Sequence, residues 1–250
     1  MVVEEKADPK SEEETNAFIT SYTRHEKQAS DNRMAESASL RIISRYRDIF
    51  QTDNMWHKKI YIVGDVGTGK SSLCKMMIYN WCRCFTDCEN DPSHDENINE
   101  IKSFDFLFFI PLERMSGLCN DITEMITAFN KHLTSTELIM RIFEEESESC
   151  LIIADGLDEW IPSKEAPVPQ HVSYGIPVSD GIKHATLINL CRPSAKGLLN
   201  MTSSESDQKI NLLGINATST EEFTRKYMSR LKQNEDCVNG FMEKIKLARL

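Results

Sequence analysis

One octapeptide constrains this chain more than any other feature: Gly64-Asp65-Val66-Gly67-Thr68-Gly69-Lys70-Ser71. It follows the apolar run Lys59–Val63 (KIYIV), which reads as a buried strand. It precedes a helical pattern from Lys70 to about Cys84, in which Leu73, Met76, Met77, Tyr79 and Trp81 are mostly apolar. The spacing fits G-x-x-x-x-G-K-[S/T] in the strand-to-helix setting that this motif requires. Glycines permit positive φ, so backbone N–H groups turn inward around an anion, and the following helix adds its positive end. In such a loop Lys70 supplies a mobile charge for β- and γ-phosphates, and the Ser71 hydroxyl is placed to ligate Mg²⁺.

A second pattern ends the apolar run Cys150-Leu-Ile-Ile-Ala-Asp155 and continues Gly156-Leu157-Asp158-Glu159. An acid that closes a buried strand sits at the carboxyl edge of a sheet, where α/β folds bind ligands. Asp155 is the candidate for Mg²⁺, which takes few carboxylates beside phosphate and water. Asp158 or Glu159, a little further on, is a candidate to orient and polarise an attacking water. An acidic turn after a core strand is the ordinary alternative; the intact phosphate loop upstream favours the chemical reading. A third, weaker pattern is Arg192-Pro193 after the strand Ala185–Cys191, where an arginine reaches the same edge.

The remaining apolar runs extend the alternation. Phe104–Pro111, Cys150–Asp155, Ala185–Cys191 and Lys209–Leu213 read as strands, with one or two helices over Ile122–Phe143 and others over Glu221–Leu231 and Cys237–Leu247. Together with Lys59–Val63 they predict a five-stranded parallel sheet covered by helices on both faces, a three-layer α/β fold. Cys88–Ile101 and the proline-bearing Ile161–Lys183 read as loops. Upstream, residues 1–14 are acidic and predicted disordered, and residues 15–55 are predicted to be a helical lead-in. In that lead-in Leu40, Ile43, Tyr46 and Phe50 form a stripe at helical spacing over Ser37–Phe50.

Composition narrows the partners. The 250 residues carry 29 Lys+Arg against 39 Asp+Glu, a net charge of −10 that repels a nucleic-acid backbone. No apolar stretch approaches the ~20 residues that a membrane helix needs. The N-terminus lacks the basic and apolar regions of a signal peptide, so the 8 cysteines read as reduced thiols of a cytoplasmic protein.

Together Gly64–Ser71 (GDVGTGKS), Asp155–Glu159 (DGLDE) and Leu190–Pro193 (LCRP) resemble the NACHT module of the signal-transduction ATPases with numerous domains, the class that includes the NOD-like receptors. Phe106–Leu112 is similar to that family's second strand, and Leu212–Met228 to its passage into a helical subdomain. The likeness spans about residues 40–247. It implies a nucleotide-binding domain over 56–218 and the beginning of a helical subdomain over 219–250. It implies that Gly67, Gly69, Lys70, Ser71 and Ser72 contact the phosphates of ATP or ADP, and that Asp155 serves Mg²⁺. It also implies that Asp158 and Glu159 serve hydrolysis, that Arg192 senses the γ-phosphate, and that the Arg192 strand lies between the P-loop and Asp155 strands. The implied activity is a nucleotide-dependent signalling switch in innate-immune or cell-death signalling, with slow Mg²⁺-dependent ATP hydrolysis. Self-association and signalling partners are expected through regions outside this chain, without nucleic acid or membrane. The family's base-contacting proline motif and its winged-helix histidine have no counterpart up to Leu250, so a partial product of a longer protein is expected. A non-hydrolysing interaction fragment and a small-molecule P-loop kinase are the alternatives.

Overall fold

A computed structural model describes residues 21–23, 41–43, 45–53, 55–86, 100–164, 175–195, 207–214, 217–230, 239–241 and 243–244. The described strands are β1 (Ser21–Thr23), β2 (Arg41–Ile43), β3 (Gln51–Thr52), β4 (Met55–Trp56), β5 (Lys59–Val63), β6 (Phe106–Pro111), β7 (Cys150–Asp155), β8 (Thr186–Cys191) and β9 (Gln208–Leu212). The helices are α1 (Tyr46–Phe50), α2 (Lys70–Thr86), α3 (Leu112–Met115), α4 (Ile122–Asn130), α5 (Thr136–Glu145) and α6 (Ala217–Arg230).

Five strands in the order β9-β5-β8-β7-β6 pair parallel throughout. Their sequences are near-continuous apolar runs because side chains alternate between faces and both faces are covered. On β5, Tyr61 and Val63 join the core with Ile152, Ala154 and Leu187 under α3, α4 and α5. Ile60 and Ile62 point the other way and pack with Leu73, Met77, Leu151, Ile153, Ile188 and Leu190 under α1 and α2. Each such aliphatic side chain removed from water contributes roughly 1.5–3 kcal/mol, so the two faces together fix the register. Parallel pairing then brings the carboxyl ends of β5, β7 and β8 to one edge of the sheet, with Val63 opposite Cys191 and Asp155 opposite Leu190.

The helices behind this edge start where their sequences provide a cap. Asp121 accepts hydrogen bonds from the backbone N–H groups of Thr123 (2.7 Å) and Glu124 (3.2 Å), which opens α4. Ser135 Oγ accepts from Leu138 N at 3.2 Å and opens α5, so the pattern over Ile122–Phe143 resolves into two helices.

The lead-in departs from its expected form. Arg41–Ile43 is a strand, not part of a helix, and α1 covers only Tyr46–Phe50. β2 pairs antiparallel with β1, and β1 pairs antiparallel with β9, extending the parallel sheet by two short strands. β1 covers the edge of β9 and β2 in turn covers β1, so at Arg41–Ile43 strand pairing outweighs the helical spacing, while Tyr46 and Phe50 keep it within α1. After α1 the small β3–β4 hairpin stacks Trp56 on Phe50 (ring centroids 5.7 Å apart), and Phe104 meets Phe50 edge-on at 5.1 Å. Trp56 Nε1 donates to Thr186 Oγ1 at 3.1 Å, which ties this hairpin to the start of β8.

Several expectations fall outside the described residues: the disorder predicted for 1–14, most of the acidic loop at 87–99, and residues 165–174 of the loop after β7. Of the final predicted helix, residues 239–241 and 243–244 are helical and its other residues lie outside the described set. Among the described residues no helix is long and apolar enough to cross a membrane.

Candidate functional site

The loop from β5 to α2 is built by its glycines. Gly67 and Gly69 have φ of 81° and 94°, a region that costs a side-chain-bearing residue strain but suits glycine. A Cβ on either would meet nothing within 4 Å, so both positions face open space. Gly64 has the opposite reason to be glycine: a Cβ there would stand 2.5 Å from Thr68 Oγ1 and 2.9 Å from the Leu212 carbonyl. Its N–H donates to Cys191 O at 3.1 Å, which anchors the loop's first residue on β8. Thr68 closes the turn through Oγ1 to Asp65 O at 2.9 Å. Asp65, Val66 and Gly67 are exposed along the loop's outer rim.

Lys70 folds back across this loop. Its Nζ donates to Gly64 O at 2.7 Å and to Asp65 O at 2.9 Å, which holds the ammonium at the mouth of the turn. The first intrahelical bond of α2 runs from Leu73 N to Gly69 O at 2.8 Å. The N–H groups of Lys70, Ser71 and Ser72 therefore belong to the first helical turn, whose donors have no acceptor within the helix. Ser71 and Ser72 are both exposed.

Across the edge, Ser71 Oγ donates to Asp155 Oδ2 at 2.8 Å. The turn after β7 is locked to β8 by two N–H groups, Gly156 and Leu157, which share Leu190 O at 3.1 and 3.0 Å. Gly156 has φ of 90°, and its Cβ position lies 3.2 Å from Glu159 Oε2. That conformation returns the chain toward the edge and explains why a small residue follows the first acid. Glu159 N then closes the turn onto Gly156 O at 2.9 Å, while Leu157 and Trp160 are buried beneath it. Trp160 Nε1 donates to Cys119 O at 3.3 Å, so the ring seals the loops after β6 and β7 together and does not cover the acids.

Arg192 follows β8 and meets both remaining acids. Its backbone N–H donates to Asp158 Oδ1 at 2.9 Å, its Nε lies 3.2 Å from Asp158 Oδ2, and its Nη2 lies 2.9 Å from Glu159 Oε1. All the candidate residues thus gather on one edge: Gly64, Asp65, Val66, Gly67, Thr68, Gly69, Lys70, Ser71 and Ser72 on the loop, Asp155, Asp158 and Glu159 after β7, and Arg192 after β8. β8 lies between β5 and β7 in the sheet, which puts Arg192 between the loop and Asp155.

One neighbour carries no chemical signature in the sequence. Gly214, with φ of 82°, ends the turn after β9, and a Cβ on it would come within 3.3 Å of Thr68 Cα. Leu-Gly after a strand signals a turn. Only the parallel pairing of β9 with β5 makes that turn a wall of the glycine loop.

The fit to a nucleotide is testable on these features. Open space at Gly67 and Gly69, the N-terminus of α2 and a lysine at the mouth are features that suit an anion. The Ser71 hydroxyl and Asp155 carboxylate are hard oxygen donors held side by side, which suits Mg²⁺ bridged to phosphate. The donor set therefore fits a magnesium nucleotide. Comparison with protein-family models finds no match for this chain, and a search among curated proteins finds no matching relative.

Proposed function

We propose that this chain is a NACHT-type nucleotide-binding module of a cytoplasmic protein, that it binds ATP or ADP with Mg²⁺, and that it hydrolyses ATP slowly as a signalling switch. The observation that carries the reading is the convergence on one sheet edge of the phosphate loop, the Ser71–Asp155 pair and Arg192. A phosphate loop alone is shared by many chemistries. With a carboxylate hydrogen-bonded to its serine and an arginine just after the intervening strand, the site is equipped to distinguish di- from triphosphate.

In this reading the backbone of Gly67–Ser72 binds the phosphates and Lys70 neutralises their charge. Ser71 and Asp155 hold Mg²⁺, which when bound supplies charge stabilisation at the transferring phosphoryl group. Glu159, exposed and with its Oε2 directed along Gly156, orients the water. Arg192 meets the terminal phosphate, a group that differs between the two nucleotides and so is able to bias a conformational equilibrium. Recruitment of innate-immune or cell-death signalling partners belongs to the same proposal.

The deciding experiment is binding of a fluorescent ATP analogue to the parent and to Lys70→Ala. Saturable, Mg²⁺-dependent binding lost in the variant is expected. Equal affinity in both removes the phosphate-site assignment, and transfer of phosphate to an added small acceptor in preference to water turns the reading toward a kinase.

A further inference from the structure

We propose that Asp158 is a positioning residue that aims Arg192 at the terminal phosphate, and that it thereby sets a preference for ATP over ADP without acting on water. The proposal rests on the nucleotide-binding reading above and assigns to one of its two acids a separate task.

The two acids of the turn have different surroundings. Asp158 is nearly buried, with 10% of its side chain exposed, and both of its oxygens face the same residue. Oδ1 accepts the backbone N–H of Arg192, and Oδ2 forms an ion pair with the guanidinium, 3.2 Å from Nε. One carboxylate therefore fixes both ends of Arg192: where the main chain leaves β8, and how the guanidinium is rotated. Glu159 is 42% exposed and offers a single oxygen to Nη2, at the outer end of the fork. Of the two, Glu159 keeps an oxygen uncommitted among the described residues.

This division matters because arginine is long. A free side chain of this kind loses conformational freedom when a ligand immobilises it. Held in advance at Nε and at its own amide, the planar fork has already met that cost. The guanidinium has five N–H donors, and the Nε and Nη2 contacts leave the Nη1 edge without a hydrogen-bond partner among the described residues. An anion that reaches that edge competes at the exposed end with Glu159, whose contact it displaces. Asp158, buried and doubly engaged, stays. Water activation calls for an exposed, uncommitted carboxylate oxygen, and Asp158 offers neither exposure nor a free partner.

The test is equilibrium binding of ATPγS and of ADP, each with Mg²⁺, to the parent, Asp158→Asn, Arg192→Ala and the double variant. Asparagine keeps the size and the Oδ1 acceptor for Arg192 N–H but cannot pair ionically with Nε. The parent is expected to prefer ATPγS, and Asp158→Asn to lose roughly tenfold in ATPγS affinity, as for a charge-assisted hydrogen bond, with ADP affinity unchanged. In the Arg192→Ala background the same substitution is expected to change neither. If Asp158→Asn keeps the parental preference and only slows hydrolysis, or if its effect adds to that of Arg192→Ala, the proposal is wrong and Asp158 acts on water. A parent that binds both nucleotides equally also overturns it, with nucleotide binding left standing, whereas a parent that binds neither removes the underlying reading instead. Should Asp158→Asn fail to fold, Arg192→Lys decides: it keeps the charge and loses the two-pronged fork, so a retained preference for ATPγS refutes the proposal and a lost one supports it.

Discussion

Ser71 Oγ donates to Asp155 Oδ2 over 2.8 Å, joining the first turn of the helix after the phosphate loop to the end of a strand two places away in the sheet. The two residues are 84 positions apart, and only the parallel pairing of β5, β8 and β7 makes them neighbours. The pair is exposed, so as a hydrogen bond it adds little to stability, about 0.5–1.5 kcal/mol at most. In the proposed function its significance is a shared oxygen site for Mg²⁺. Asp155→Asn is expected to lower nucleotide affinity in Mg²⁺ buffer by at least about tenfold, or ~1.4 kcal/mol, while affinity in EDTA stays at the parental value. Titration of a fluorescent nucleotide under both conditions checks this. An equal loss in EDTA would place Asp155 on the nucleotide itself and not on the metal.

The two kinds of glycine in the loop predict different damage. At Gly64 an added methyl group meets Thr68 Oγ1 at 2.5 Å and the Leu212 carbonyl at 2.9 Å, and the carbonyl belongs to a paired strand that yields poorly. Gly64→Ala is expected to destabilise the fold by about 1–3 kcal/mol, as overpacking does. At Gly67 the methyl group meets open space, and the cost is the strain of φ at 81°, about 1–2 kcal/mol. The distinction appears in structure as well as in urea midpoints. Gly64→Ala should disturb amide resonances of β9 around Leu212, and Gly67→Ala should leave β9 unchanged.

Much of this site is legible in one dimension because each element carries a local signature. Apolar runs with both faces buried name the strands, and an acid or a glycine at the end of a run names the edge residue. Asp155, Glu159 and Arg192 could be placed on one edge once the strands were taken as parallel. What periodicity could not supply is pairing. Leu40, Ile43, Tyr46 and Phe50 fit a helix as well as they fit any pattern, yet Ile43 lies on a strand opposite Ser21. What decides it is the edge of β1, a strand that itself covers the edge of the distant β9. The partition of roles between Asp158 and Glu159 is hidden for the same reason. Adjacent acids look alike in sequence, and their difference is that one turns under Arg192 while the other turns outward.

Buried thiols give the fold an alkaline limit. Cys191 sits on β8 with no exposure, and burial, reinforced by the nearby Asp158 carboxylate, pushes its thiol up from the ordinary 9.0 to about 12. Cys150 is likewise raised to about 12, first by burial and then by Glu146 and Asp105, and Cys74 is raised by burial and by Asp155. In the unfolded chain these thiols ionise near 9, while the folded chain keeps their protons. The protonated-thiol contribution is therefore fully present below pH 9 and is lost as pH rises from 9 toward 12. Urea midpoints should fall steadily above pH 9. Cys191→Ala, measured at pH 8, 9.5 and 10.5, should flatten that slope relative to the parent whatever its stability at pH 8. A slope identical to the parent's would show that Cys191 ionises in the folded state as readily as in the unfolded.

The segment before the phosphate loop is integral to the domain, and its attachment to α2 offers a last measurable bond. Tyr46 is 1% exposed at the start of α1, and its hydroxyl accepts from Asn80 Nδ2 at 3.1 Å, itself buried on α2. Neither partner is replaced by water without opening the core between α1 and α2, where Ile49, Phe50, Leu73 and Met77 also pack. Tyr46→Phe keeps the ring and leaves a buried amide donor short of an acceptor, for an expected loss of about 1–3 kcal/mol. Asn80→Leu removes the donor and should cost a comparable amount. The double variant removes both partners of this bond, so its loss should fall short of the sum of the single losses by about 1 kcal/mol or more. Equilibrium urea unfolding of the four proteins gives this coupling directly. If the losses simply add, the hydroxyl and the amide are not partners in solution.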